Sequence, residues 1–179
     1  MHATITLVPI GMVEETLLSH VGIALSDVFG RQVEVAAPLP HPDYAYNAQR
    51  QQYLAEAVLG QLHTCQLPGE RVLGIVDVDL YAPHLNFVFG QALVRGREAV
   101  IALPRLRQSF YGLPDDEKLF LARAVKEAVH ELGHTYGLGH CPDARCVMHF
   151  SNSLRDTDFK SHRFCGACRA RIPGLSGRE

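Results

Sequence analysis

Residues 130–141 read HELGHTYGLGHC and place three histidines, a glutamate and a cysteine within twelve positions. His130 and His134 are four apart, so on a helix their rings lie side by side across a gap that fits one zinc ion. Gly137 permits a sharp turn, and His140 can return from beyond the helix as a third nitrogen ligand. Three neutral ligands leave a fourth position for water, the arrangement of a catalytic zinc rather than a structural one. Glu131 neighbours the pair and can take a proton from that water, whose pKa the metal lowers towards ~7. The resulting hydroxide attacks a carbonyl carbon whose oxygen the zinc polarises. H-E-x-x-H alone occurs in many helices, but the full H-E-x-x-H-x-x-G-x-x-H fixes five residue types.

The cysteines form a second pattern. Cys141 and Cys146 enclose four residues, and Cys165 and Cys168 enclose two. Four thiolates on two short loops suit a tetrahedral structural zinc; two disulfides or free thiols are the alternative. His140 and Cys141 are adjacent, so folding of the tail should help to place the third histidine. Cys65 stands alone and reads as a plain buried or half-buried thiol.

These groups need a scaffold. Pro114 suits a first helical position, and Asp115, Asp116 and Glu117 favour a helix N-terminus. Leu121, Val125, Ala128, Leu132 and Tyr136 make an apolar stripe opposite His130 and His134, so one face packs and the other presents the histidines. Gly137 or Gly139 ends the helix. Upstream, strands are expected at residues 3–8, 32–37 and 72–78, and helices at 11–29 and 44–62. Residues 86–94 and 98–103 read as a hairpin split near Gly96. The near-continuous apolar run at 72–78 predicts a strand buried on both faces. The order implies an α+β fold, a mixed β-sheet packed with helices. After Gly139 about forty residues have little apolar material of their own and need a staple. A structural zinc contributes on the order of 10 kcal/mol to folding such a unit.

The chain of 179 residues suits one domain, with an N-terminal subdomain of about 1–139 and a C-terminal one of about 140–179. It is 47% hydrophobic and 20% charged, enough for a core without disulfides. The net charge of −2 gives no support to a nucleic-acid partner. No apolar run is long enough to span a membrane, and the first basic residue is Arg31, so no signal peptide is expected. The reading is cytoplasmic, where cysteines are expected as metal ligands or free thiols rather than disulfides.

Residues 130–140 match the metzincin signature. Met148, eight residues past His140, fits the methionine turn beneath the metal, although by itself it would read as a core methionine. The run C-x4-C-x-M followed by C-x2-C, with VDVDLYAPHLNFVFGQA at residues 76–92, resembles the archaemetzincin family across residues 72–168. The resemblance implies a metzincin-like zincin fold with an active-site helix and a small zinc-stapled C-terminal lobe. It implies a zinc metallopeptidase acting on peptide or protein substrates, with Glu131 as general base and then proton donor. Two zinc ions per chain follow: a catalytic one on His130, His134 and His140, and a structural one on Cys141, Cys146, Cys165 and Cys168. The segment 86–94 would pair with extended substrate.

Competing readings are a zinc-ribbon-like binding module and a catalytically silent metzincin scaffold. The tail from Ser151 holds six Lys/Arg against three acids, but only Phe159 and Phe164 interleave with them, too few aromatics for a nucleic-acid surface. Asp77 and Asp79 read as a solvent-facing strand end, and His84, His149 and His162 as surface histidines. Tyr81, Tyr111 and Tyr136 could each donate to an oxyanion, with nothing to choose among them.

Overall fold

A computed structural model describes residues 4–175 of the chain; Ala3, where the first strand was expected to begin, lies outside them. The apolar run around residue 72 forms β5 (Arg71–Val76), at the centre of a five-stranded sheet. β1 (Thr4–Ile10) and β8 (Glu98–Ala102) flank it, both parallel. β2 (Gln32–Val35) extends the sheet beyond β1, and β7 (Gly90–Ala92) closes the other edge, antiparallel to β8. Central strands of such a sheet have no solvated face, which explains their unbroken apolar sequence.

Alternate residues serve two cores. On one face, Ile5, Leu7, Leu73, Ile75 and Ile101 pack with α1 (Glu15–Phe29) and α3 (Glu117–Thr135) through Leu17, Val21, Leu25, Val125, Ala128 and Leu132. On the other, Val8, Ile10, Val72, Val76 and Val100 meet α2 (Ala55–Thr64) through Val58, Leu59 and Leu62. A small second sheet holds β3 (Tyr46–Asn47), β4 (Gln52–Leu54) and β6 (Leu80–Tyr81). The tail carries α4 (Leu154–Phe159) and α5 (Gly166–Arg169). Its buried residues Cys146, Val147, Met148, Cys168, Ile172 and Leu175 belong to the same core as α1 and α3.

Three expectations are corrected. The helix at 44–62 is only α2, preceded by a 3-10 turn at Asp43–Ala45 and the β3–β4 hairpin. The Asn47 side chain accepts the Gln49 and Arg50 N–H groups, and Gln51 adopts φ 56°, so a turn captures the backbone there. The strand at 86–94 shrinks to β7, because Val88 bridges instead to Leu80 of β6. The catalytic-motif helix starts at Glu117, not Pro114: Asp116 accepts the Leu119 N–H at 2.9 Å and caps it.

Candidate metal centre

The 3.6-residue period places Glu127, His130, Glu131 and His134 on one stripe of α3, away from the Val125–Ala128–Leu132 stripe that packs on the sheet. The helix is enclosed on both sides, since His130 and Glu131 are themselves buried. His130 Nδ1 donates to the Val147 carbonyl and His134 Nδ1 to the Leu138 carbonyl, each at 2.8 Å. Those bonds commit each Nδ1 to the proton and leave a lone pair on each Nε2. The two Nε2 atoms stand 3.1 Å apart, close to the ~3.4 Å that two ligands of a tetrahedral zinc require.

Helix termination delivers the third ring. Gly137, at φ 85°, turns the chain in the left-handed region, with its N–H on the His134 carbonyl and the Leu138 N–H on the Gly133 carbonyl. His140 then faces the helix pair, its ring centroid 5.4 Å from that of His130 and 5.0 Å from that of His134. One nitrogen from each of the three histidines lies within a 4.8 Å cluster. His140 also leans on Phe150. Two glycines make close approaches possible. A Cβ on Gly133 would collide with Met148 Sδ, so the methionine packs directly against the helix at that glycine. A Cβ on Gly90 would fall 2.6 Å from Glu131 Cγ, so β7 presses its bare backbone against the glutamate.

Electrostatics suits a cation. Burial lowers the pKa of His130 far below the imidazole range, with the Lys160 ammonium adding to it. Burial also lowers His134 and His140. All three rings are therefore neutral donors at neutral pH. Burial raises the Glu131 carboxyl well above the usual range, reinforced by Glu127 and opposed by Lys160.

The four thiols gather beyond the Met148 loop, their Sγ atoms within 4.8 Å of one another and Cys141 to Cys165 at 3.8 Å. The Cys165 N–H reaches Cys146 Sγ at 3.3 Å, and the Cys141 N–H reaches the Met148 carbonyl at 2.9 Å. Burial raises Cys146 and Cys168; at Cys165 burial also pushes upward, but hydrogen bonds to its sulfur together outweigh it and lower the thiol. Four converging sulfurs with no disulfide among them are a soft donor set of the kind zinc selects.

A cleft of about 560 Å³ opens above the histidines, between β7, the segment Leu85–Phe89 and Phe150–Asn152. Ala102 donates to the Phe89 carbonyl and Leu93 to that of Glu98, so the intervening Gly90 and Ala92 turn their backbone groups to the open edge. An extended chain can pair there.

Comparison with known proteins decides the family. Residues 28–173 match Peptidase family M54. The chain is 43% identical to an archaemetzincin of Methanocaldococcus jannaschii over 164 residues, covering 92% of this chain and 89% of the relative. The crystal structure of archaemetzincin from Methanopyrus kandleri superposes with TM-score 0.84 at 42% identity, covering 99% and 97% of the two chains. That of archaemetzincin from Archaeoglobus fulgidus, complexed with malonate, gives 0.82 at 36%, covering 94% and 99%. The chain belongs to the archaemetzincin family. It is therefore a zinc-dependent metallopeptidase with a metzincin-like fold, and its substrate class is peptides or proteins.

Two further buried charges lie at or behind the archaemetzincin cleft, and the motifs did not announce them. Glu127 lies one turn before Glu131 on the same stripe, a spacing readable in sequence. Lys160, fully buried against it, left no sequence signal because it arrives from the tail. Other candidates are placed elsewhere. Asp79 is half-buried under a bidentate Arg105, whereas Asp77 faces solvent as expected and pairs there with a bidentate Arg107. Tyr81, Tyr111 and Tyr136 all lie outside the lining of the histidine cleft. Tyr136 stacks on Phe29 instead. His149 is half-buried and bonds the Cys141 carbonyl at 2.9 Å, a structural role in the loop between the two clusters. His84 is exposed, and His162 is half-buried beyond the cleft. Among the described residues no helix is long and apolar enough to cross a membrane.

Proposed function

We propose that His130, His134 and His140 hold the catalytic zinc of this peptidase, that Cys141, Cys146, Cys165 and Cys168 hold a second, structural zinc, and that Met148 forms the floor of the catalytic centre. The observation that carries the first assignment is the pair of Nε2 atoms 3.1 Å apart beside Glu131, each kept unprotonated by a carbonyl on Nδ1. Zinc supplies Lewis-acid polarisation of a carbonyl and a water acidic near neutral pH. Substrate lies extended along β7, bonding the outward backbone groups of Gly90 and Ala92, which gives affinity with little sequence preference. Glu131 lines the cleft beside the histidine pair, where it would take the proton of the attacking water at its carboxylate and deliver that proton to the departing amine nitrogen. Its buried, desolvated carboxyl favours holding the proton between those two transfers. The cysteine cluster fixes Cys141 and hence its neighbour His140. The two centres belong to one catalytic domain, residues 1–179, working in the cytoplasm.

The test is elemental zinc per chain, together with Glu131→Ala. About two zinc per chain is expected, with peptide cleavage reduced about a thousandfold or more in the variant and both metals retained. Wild-type cleavage by Glu131→Ala would sink the mechanism.

A further inference from the structure

The active-site stripe offers two carboxylates, not one. Glu127 and Glu131 are one turn apart on α3, both buried, and both line the cleft above the histidines. Either could turn towards a cation at the centre, yet only one can serve as the base. What separates them is Lys160. Its side chain is 0% exposed, and its Nζ stands 3.2 Å from Glu127 Oε1 and 3.4 Å from the His149 carbonyl. Thr157 Oγ1 donates to the same Glu127 oxygen at 3.2 Å. Glu131, by contrast, has no cationic partner within ion-pair range among the described residues.

A buried ion pair is a poor stabilising device. Desolvating two charges costs several kcal/mol per ion, and apolar residues of similar size often do as well. The packing between α3 and α4 does not need it: Arg123 already clamps Asp158 with two bonds of 2.7 Å, and Lys126 reaches the carbonyls of Thr157 and Asp158 at 3.0 Å. The pair therefore has another use. Lys160 also lies close enough to shift all three histidines and Glu131 electrostatically.

We propose that Lys160 is a positioning residue for catalysis: by neutralising and holding Glu127 it keeps that carboxylate out of the histidine centre and leaves Glu131 as the single free base. The tail thus contributes a charge as well as the third histidine. This inference rests on the histidine assignment above.

Lys160→Gln tests it, because the amide can still donate to Glu127 and to the His149 carbonyl while the charge is gone. The variant is expected to lose at least about tenfold in kcat/KM, since a second carboxylate beside the metal competes for the place of water. It should hold zinc at the histidine centre at least as tightly as wild type, measured by chelator competition. Adding Glu127→Gln to it removes the competitor and should recover most of the lost activity. The apolar pair Glu127→Leu with Lys160→Met should keep most of the wild-type activity and its zinc, and it covers the case in which the single variant does not fold; loss of activity from this folded, zinc-loaded pair overturns the proposal. A structural tie alone would make the activity of Lys160→Gln fall only in step with its folded fraction and would weaken zinc binding in it; either result overturns the proposal, as does wild-type activity in Lys160→Gln. If instead the zinc of the wild-type protein is unaffected by His130→Gln and His134→Gln, the histidine assignment has failed.

Discussion

The histidine centre and the cysteine cluster meet at one peptide bond, between His140 and Cys141, yet they are built from different material. Two of the three histidines ride on α3, a nineteen-residue helix packed between the sheet and the tail. Their rings are aimed by carbonyls of the loop beyond the helix. The cysteines sit on loops and on a four-residue helix, and they converge where those loops pack on the main core. One cluster rides on a long helix of the hydrophobic core and opens to a cleft; the other sits on short loops against the same core and closes on itself. Rigid placement suits a centre that must leave room for substrate, while closure suits one that must only bind.

The largest effect should come from breaking the closed cluster. Cys168→Ser removes a buried thiol of the proposed structural site from a segment that a zinc there would stabilise by on the order of 10 kcal/mol. Loss of protection in residues 140–175 is expected by hydrogen exchange, with β1, β5 and β8 still protected. Unchanged exchange would mean that the cluster does not staple the tail. The next effect is on the helix-borne side. Gly133→Ala drives a methyl into Met148 and should cost about 1–3 kcal/mol in urea unfolding, with zinc lost from the histidines before the cysteines. Equal loss from both would erase the distinction between the regions.

The smallest effect is a difference in pH response of the metal-free protein. Burial depresses His130, His134 and His140, so their contribution to stability is complete above the unfolded imidazole value near 6.5 and is lost as pH falls through the depressed folded values. Burial raises Cys146 and Cys168, so theirs is complete below the unfolded thiol value and is lost as pH rises through the raised folded values. Melting temperature against pH should fall on both sides, and His130→Gln with His134→Gln should flatten only the acid side. A flattening of the alkaline side by those histidine changes would break the separation.

Legibility tracked the range of the interactions. The ligand candidates were readable because each cluster arises from short spacings, i and i+4 on a helix or pairs across tight loops, whose geometry is local. The central strand β5 was readable because burial on both faces leaves an unbroken apolar run. The segment at 44–62 was misread because the Asn47 turn outcompetes a helical pattern with a single side chain. Residues 86–94 were misread because Val88 has a second strand available in β6, which sequence periodicity does not register.

The sequence by itself determined the donors, their spacing, the helix that carries them and the family to which the chain belongs. Only the tertiary structure decided which carboxylate is left free, since Lys160 meets Glu127 from thirty-three residues away. It also decided that Gly90 and Gly133 must be bare, because β7 and Met148 arrive there from other parts of the chain. The physical reason is common to all three. Charge neutralisation and close packing depend on distance in space, and distance along the chain says nothing about it once a sheet and a helix have folded between the partners.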